Sequence, residues 1–487
     1  MAEIHRPALG QEVAIETLYD AKRDQFLPTS ILPPSVPEGF ITRSQRQTSQ
    51  QYDLSWSVGA THKSRFNLMN IDANLAASIA CDLTVPQGYG MFLEDGTSET
   101  NILQGNVRHI YNTCREYVEL GNQDISHVLA QGFISVADGR STHFVVAANY
   151  GLQSIITMKY NLRDPRNKAN VEPVFTHDVR TVHDIAKLLS SLNFSNNTVN
   201  RRLALAYEFR LYTDIQKEYG ICIESLALLC TFVQTGPRQI RADSGKKGYP
   251  INYTLLPLQF LRLGATTVPD SNRTHISITD IDPVLDIFDR YNEDKDTLDN
   301  YKLDIRGKKH CIPLQHFDDV NNTILRMLGI QNNLKVELKR RVLNVRNGIE
   351  NDRRLHELHA IIETNPERIS LVSITMQQSD KMDFITRAVG HGATYIGFNG
   401  LSLKDVTLPH DSPAPYTFEF NNAVLKSSIS WKEQHDAFMK FLWNPQRRCQ
   451  VYIVDCDAPL QHKHLDCARF SEMQRNNTAS IQHEEQD

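Results

Sequence analysis

Residues 69–85 read MNIDANLAASIACDLTV, and every second residue of this stretch is apolar. Alternation of apolar with polar or small residues is typical of a β-strand that has one dry and one wet face. Ordinary strands have about 5–6 residues, so this stretch predicts an unusually long two-faced strand. A helix is also left open, because every fourth residue is apolar at Ile71, Leu75, Ile79 and Leu83. Asp82 falls inside that stripe and weakens it. The apolar positions are Met69, Ile71, Ala73, Leu75, Ala77, Ile79, Cys81, Leu83 and Val85.

Two other stretches of the chain alternate in the same way. The even positions of 144–160 and the odd positions of 202–215 are mostly apolar, and charged residues such as Arg202 and Glu208 stand between the latter. A helical protein would not maintain a period of two over such lengths. Residues 1–265 are therefore predicted to form an antiparallel sheet with helical interruptions.

The pattern changes twice after this region. Residues 274–365 have the apolar spacing of amphipathic helices, and Asn365-Pro366 ends them because a residue before proline disfavours the helical backbone. Residues 367–458 alternate strands with helices, which predicts a small α/β domain. The polar residues 460–487 predict a disordered tail.

Composition places the chain among ordinary soluble proteins. A length of 487 residues favours about three domains, and 40% hydrophobic residues are enough for sizeable cores. The net charge of −5 argues against nucleic acid as a partner. The first 20 residues lack an apolar signal region, so the expected location is cytoplasmic and any secretion would be unconventional. The eight scattered cysteines are expected to be reduced thiols.

No motif in the chain predicts an enzyme. Gly139-Arg-Ser-Thr-His143 lacks the second glycine of a serine nucleophile elbow, and Ser244-Gly-Lys-Lys lacks the upstream glycine of a phosphate-binding loop. His462, His464 and Cys467 provide three ligands where structural zinc takes four. Cys449 and Cys456 do not form a redox pair of the C-x-x-C type. We therefore expect no catalytic residues, no metal and no cofactor.

Several segments resemble the stonustoxin and verrucotoxin family of the membrane-attack-complex/perforin (MACPF) superfamily. The segments PALGQEVAIETLYDAKRDQFLP (7–28), STHFVVAANYG (141–151) and GYPINYTLLPLQFL (248–261) resemble family segments, and they occur in the family's order. The second is similar to the MACPF signature strand, with Thr142, His143, Phe144, Tyr150 and Gly151 at the matching positions. No segment of residues 1–487 resembles the PRY-SPRY domain with which the toxins of this family end.

This resemblance implies an α+β multidomain fold. A bent antiparallel MACPF-like sheet with flanking helices in 1–265 would precede a FAT-like helical domain in 274–365. A thioredoxin-like domain without a redox motif would follow in 367–458. The central sheet of MACPF proteins carries two helical clusters that extend into membrane-inserting hairpins, and 69–85 would be one inserting strand. A spanning strand needs only about 9–11 residues.

The resemblance also implies a function and partners. The chain would be a subunit of a cytolytic, pore-forming toxin that contacts membrane lipid and forms homo- or hetero-oligomers with a related subunit. The alternative is a non-lytic intracellular scaffold that keeps the MACPF fold for protein interactions. The segment between Tyr160 and Arg202 has no alternating stretch that would form a second inserting strand.

Overall fold

The structure is a computed structural model that groups the chain into two compact units. The first unit comprises Met1–Glu293 with Ile330–Thr364, and the second comprises Asp294–Gly329 with Asn365–Asp487. The predicted helical domain 274–365 is thus divided between the two units. The residues described are 3–32, 40–45, 52–95, 102–120, 128–129, 140–162, 167–190, 206–223, 226–243, 247–261, 275–351, 355, 357–358, 378–406, 413–426 and 428–473.

An antiparallel sheet of ten strands dominates the first unit, as predicted. The two long central strands, β6 and β7, pair with each other; β6 also pairs with β4 and β5, and β7 with β2, β8 and β10. At the edges β1 pairs with β10, β3 with β2 and β9 with β8. The strands are β1 Ile4–Pro7, β2 Thr17–Asp20, β3 Gln25–Ser30, β4 Ile41–Gln45, β5 Tyr52–Val58, β6 Ile102–Val118, β7 His143–Asn161, β8 Glu208–Thr213, β9 Gln216–Ile223 and β10 Tyr249–Pro257.

One of the three predicted long strands is confirmed, and a second is confirmed only over the six residues of β8. β7 covers the alternating stretch 144–160, and β8 covers the middle of 202–215, whose first four residues lie outside the described part of the chain. β6 was not anticipated from the sequence. One of its faces is largely polar, and Gly105 interrupts the apolar residues of the other face.

Four helices, α1 to α4, lie between strands of this sheet, and α5 and α6 follow its last strand. α1 is His62–Met69, α2 Ala73–Ala80, α3 Lys168–Ser190, α4 Leu226–Asp243, α5 Ile278–Gly307 and α6 Leu314–Arg346, with short 3₁₀ turns at Gly88–Glu94, Leu258–Leu261 and Lys309–Cys311. α3 and α4 pack on the apolar face of β6, β7 and β8, where Val107, Ile156 and Leu211 are buried. Gly105 permits this contact, because a Cβ atom there would lie 2.1 Å from a methyl carbon of Val179 on α3.

The strand predicted for 69–85 is wrong in this structure, which has α2 there instead. Asp72 caps the helix by accepting a hydrogen bond from the Leu75 amide at 2.8 Å, and Asn70 and Asp82 have left-handed φ angles of 55° and 54° on either side. All eight residues of α2 are buried. Ala76, Ser78 and Ala80 looked like a wet face because they are small, yet small residues also suit a helix that is surrounded by protein.

A close approach of two strands occurs at Gly151. A Cβ atom at this position would lie 1.9 Å from the carbonyl oxygen of Tyr111 on β6. The β6–β7 register shifts here between Asn112 and Cys114. Thr113, the residue left between them, donates a hydrogen bond to the Tyr150 carbonyl at 3.0 Å. The glycine that matched the signature strand is therefore required by the packing of the backbone.

The second unit contains a four-stranded sheet with β13 between β11 and β12, all three parallel, and β14 antiparallel to β12. The strands are β11 Thr394–Ile396, β12 Tyr416–Phe420, β13 Val451–Asp455 and β14 Arg469–Glu472; the helices are α7 Ser379–Gly390, α8 Asn422–Lys426 and α9 Ser428–Leu442, with 3₁₀ turns at Leu403–Asp405 and Pro459–Gln461. The alternation of strands and helices expected in 380–456 is confirmed. The strand expected at 368–376 lies outside the described residues. The prediction of disorder for 460–487 is wrong at Arg469–Glu472, because these residues form β14 and pair with β12 at the edge of the sheet.

A buried carboxyl group in the first unit predicts a pH effect on stability. Burial, followed by the charge of Glu116, raises the pKa of Glu16 from 4.5 to about 7. The folded state therefore favours the protonated acid, so its stability falls as the pH rises from 4.5 through 7. Glu16→Gln removes that loss, which amounts to about 2–3 kcal/mol above pH 7. Urea unfolding should show a stabilised variant at pH 8 and a much smaller difference at pH 5. Glu3→Gln is the control, and an equal gain for both variants would contradict the assignment to Glu16.

Candidate functional site

Two helical connections leave the long strands at the same end of the sheet. Residues 59–101 connect β5 to β6, and 162–207 connect β7 to β8. The register places these exits together, since Val58 pairs with Gly105, Ile102 with Asn161, and Lys159 with Glu208. We call residues 59–95, which include α1 and α2, the covering segment. Both connections can in principle extend the strands they join.

One face of the sheet beneath the covering segment is polar although it is buried. Residues paired across antiparallel strands share a face, and the pairs Gln104–Lys159 and Asn106–Thr157 define this one. All four side chains are at most 9% exposed. Ile110 and Ile155 lie on this face as well. Its polar members are Ser55, Ser57, Gln104, Asn106, Arg108, Gln153, Thr157, Lys159, Arg210 and Tyr212. The opposite face is apolar and lies under α3 and α4.

The covering segment satisfies many of these polar groups. Asn106 donates to the Gly59 carbonyl at 2.9 Å, and Arg108 donates to the Leu68 carbonyl at 3.1 Å. The Asp95 carboxylate accepts from the Lys159 ammonium at 3.0 Å and from the Tyr212 hydroxyl at 2.9 Å. Burial, and next the charge of Asp95, raises the pKa of Tyr212. The sheet thus binds this segment through hydrogen bonds and one buried ion pair.

A buried charge cluster around Asp24 fixes α2 from the other side. The Ser78 hydroxyl donates to the Asp24 carboxylate at 2.7 Å and accepts from Arg346 Nη2 at 2.7 Å. Arg346 also donates to the Asn74 carbonyl at 2.6 Å and to the Lys22 carbonyl at 3.0 Å. Asp24 is paired with Arg6 at 3.2 Å and accepts a short hydrogen bond from Tyr19. We call Arg6, Tyr19, Asp24, Ser78 and Arg346 the Asp24 cluster.

The covering segment has further ionic attachments to α5 and α6. His62 lies 2.6 Å from the Asp289 carboxylate through Nδ1, and its backbone amide donates to the same group at 3.1 Å. Burial lowers the pKa of His62, although Asp289 opposes that effect. Lys63 pairs with Asp282 at 2.7 Å. The Asp82 carboxylate pairs with Lys335 of α6 at 3.0 Å. The segment is therefore attached at its beginning, at α2 and just after α2.

The structure brings the predicted inserting residues together inside the covering segment, but as α2 and its flanks. Met69, Ile71, Ala73, Leu75, Ala77, Ile79, Cys81 and Leu83 are buried, whereas Val85 is 55% exposed. The side chains of the helix thus face protein on all sides in this state.

The predicted signature residues lie at the start and middle of β7. Thr142 Oγ1 accepts from the Ala21 amide at 2.9 Å, and His143 packs edge-on against the ring of Tyr19. Phe144 is fully buried, and Tyr150 precedes the close approach at Gly151. Their positions fix β7 to β2 and β6.

Sequence reasoning missed the charged residues that hold the covering segment. Asp24 lies in a tight turn with a left-handed φ of 60°, and Arg346 is one of many basic residues on α6. Neither has a local signal, because their partners are distant in sequence.

The described residues show neither a metal site nor a membrane-spanning helix. No group of three or more His, Cys, Asp or Glu side chains in this part of the chain could hold a metal ion. None of the described helices has the length and apolar character needed to cross a bilayer.

Comparison with known proteins finds one family model and several solved structures that are similar to this chain. Residues 3–281 match the family model described as SNTX, MACPF/CDC-like domain, and 387–486 match a domain of unknown function, DUF7656. No curated protein matches the chain in sequence. A solved stonustoxin structure matches 96% of this chain and 68% of its own, with a TM-score of 0.57 and 12% identity, which shows a shared fold.

Smaller matches occur among bacterial cytolysin structures. Suilysin from Streptococcus suis matches 44% of this chain and 42% of its own, with 10% identity and a TM-score of 0.26. A pneumolysin structure matches 44% of this chain and 40% of its own, with 10% identity and a TM-score of 0.24.

Proposed function

The chain belongs to the SNTX, MACPF/CDC-like family, and on that premise we propose that it is a cytolytic, pore-forming protein or one subunit of such a protein. Pore-forming members of this family bind membranes and oligomerise. The proposal includes oligomerisation on membrane lipid, with like subunits or a related one. It also includes the absence of enzymatic activity and a cytoplasmic default location.

One observation carries this proposal. The covering segment and the connection containing α3 are both inserted between neighbouring strands at one end of the sheet. If either connection became extended, it would lengthen two adjacent antiparallel strands without changing their register. A strand pair lengthened in this way needs only about 9–11 residues per strand to cross the hydrocarbon layer. The covering segment is long enough for that on both of its arms.

The proposal also assigns two parts of the chain to known architectures. We assign a FAT-like character to the region of α5 and α6, and a thioredoxin-like character without redox function to 367–458. The long helices α5 and α6 support the first assignment, and the parallel strands β11, β13 and β12 support the second. An experimental structure that shows a different helix or strand order in either region would refute that assignment.

A reversible crosslink tests whether the covering segment leaves the sheet. Charge substitutions at Ala77 or Ser78 are unsuitable, because both residues are fully buried and either change would unfold α2. Instead, His62→Cys and Asp289→Cys can be joined by a short reducible bis-thiosulfonate reagent in a Cys467→Ser background, since Cys467 is exposed. We expect the reduced protein to release dye from liposomes and the crosslinked protein to release none.

The matched control joins cysteines within one helix. Lys295→Cys and Asp299→Cys occupy a 3.1 Å ion pair on α5, and their crosslink does not restrain the covering segment. This variant should release dye in both states. Equal release by crosslinked and reduced His62/Asp289 variants would show that the segment stays in place. If wild type releases no dye from any lipid mixture, the result favours the scaffold function over a lytic one.

A further inference from the structure

An exposed tryptophan marks one surface of the second unit. Trp443 directly follows α9 and is 61% exposed, and Val389 in the last turn of α7 is 45% exposed. The Trp443 ring lies 5.9 Å from the ring of His391, measured between centroids, at an angle of 68°. Tryptophan is enriched at interfaces, because its ring offers a large apolar area together with a polar N–H group. We call this the Trp443 surface.

The Trp443 surface contains an open cavity that is lined in part by the cationic side chain of Arg447. The cavity has a volume of about 550 Å³ and is lined by His391, Leu442, Trp443, Asn444, Pro445 and Arg447. Arg447 Nη2 donates to the His391 carbonyl at 3.3 Å. Arg447 Nη1 is buried and has no hydrogen-bond partner among the described residues. Arg447 lines the cavity, and a guanidinium group binds anionic oxygens more strongly than neutral acceptors.

The two chain segments that form the cavity wall carry charges of one sign. Residues 384–394 and 437–450, which contain the cavity wall, carry Arg387, Lys440, Arg447 and Arg448 together with His391, and no Asp or Glu. The nearest carboxylates along the chain, Asp383 and Asp436, lie next to Lys308 and His435. This is a locally basic surface on a chain whose net charge is −5.

We propose that the Trp443 surface binds the phosphate headgroups of an anionic phospholipid membrane. Arg447 would receive a phosphate oxygen in the cavity, while Arg448 and Lys440, both exposed, face the anionic surface. Tryptophan is enriched at the level of lipid headgroups, where its ring meets both apolar and polar surroundings. A free phosphorylated molecule would use the cations but would leave Trp443 and Val389 exposed, so the chemistry favours a membrane. The surface gives the matched domain of unknown function a role in membrane recognition.

Vesicle flotation of the full chain tests this proposal. The protein should float with phosphatidylcholine vesicles that contain phosphatidylserine, and much less with phosphatidylcholine alone or in high salt. Arg447→Gln with Arg448→Gln should weaken partitioning about 25-fold, because each basic residue near an anionic surface contributes about fivefold. Trp443→Ala should weaken it further. The matched controls are Lys432→Gln, an exposed lysine near the start of α9, and Leu460→Ala, an exposed leucine.

The inference rests on the proposed lytic function for its biological context. The possible outcomes nevertheless test the two proposals separately. Flotation without dye release would support the Trp443 surface while refuting lysis. Equal flotation of wild type and the arginine variant, at equal melting temperatures, would overturn the inference and leave lysis standing. A melting temperature raised by inorganic phosphate, together with no flotation on any anionic vesicle, would also overturn the inference. That result would favour a soluble phosphorylated ligand.

Discussion

Gly151→Ala is expected to destabilise the first unit by about 4 kcal/mol or more, an effect at the upper end of single substitutions. The new Cβ atom would lie 1.9 Å from the Tyr111 carbonyl oxygen and 2.9 Å from the carbon of that carbonyl. Both are backbone atoms of the paired strand β6, so no side-chain rotation relieves the clash. The two longest strands would have to separate. Urea unfolding, or the yield of soluble protein if the variant does not fold, measures the effect.

Gly329→Ala is the matched control for this change. Gly329 lies inside α6, and nothing is within 4 Å of a Cβ atom built there. Because alanine favours a helix over glycine by about 1 kcal/mol, this variant should be as stable as wild type or slightly more stable. If Gly151→Ala unfolds at the same urea concentration as Gly329→Ala, the close approach of β6 and β7 does not constrain the sheet.

Arg346→Met is expected to destabilise the protein by about 3–5 kcal/mol, the range found when one partner of a buried ion pair is removed. Arg346 is fully buried, and Asp24 is 3% exposed. Methionine fills much of the same space but cannot donate to Ser78 or to the Asn74 and Lys22 carbonyls. Asp24 would keep Arg6 and Tyr19 as partners. It would lose Arg346, the second of the two cations near its carboxylate, which lies 3.8 Å away.

Two further variants make this prediction specific. Arg340→Met removes an arginine of the same helix whose side chain is 52% exposed and pairs with Glu337. It should leave the stability almost unchanged, because an exposed ion pair contributes little. The double variant Asp24→Asn with Arg346→Met should be less destabilised than the sum of its single changes, because the cluster acts as a unit. Additive effects, or equal effects of Arg340→Met and Arg346→Met, would contradict a charge cluster that holds α2.

Local patterns predicted the parts of the fold that depend on neighbouring residues. β7 follows its alternating sequence over its whole length, because it separates two environments of different polarity. α9 and β12 likewise follow their apolar spacing. The stretch 69–85 failed because alanine and serine are compatible with a wet strand face and with a tightly packed helix. The capping signal of Asp72 and the left-handed turn at Asn70 decided in favour of the helix.

The candidate site could not be predicted from the sequence in the same way. Ser78 and Arg346 are 268 residues apart, and Tyr212 and Asp95 are 117 residues apart. A single sequence contains no periodicity that pairs such residues. The resemblance of 141–151 to a signature strand did identify β7, since that likeness carries information about a family's shared sheet. It did not indicate which side chains hold the covering segment against that sheet.

The polar face of the sheet has a consequence for solubility. If the covering segment departs, the side chains of Asn106, Thr157 and Lys159 exchange protein partners for water, which binds amides, hydroxyls and ammonium groups well. That face therefore exposes mainly polar groups, with Ile110 and Ile155 as its apolar members. An apolar face uncovered in the same step would promote random self-association. The chain thus carries a sheet surface that water can solvate more readily than it could solvate an apolar one.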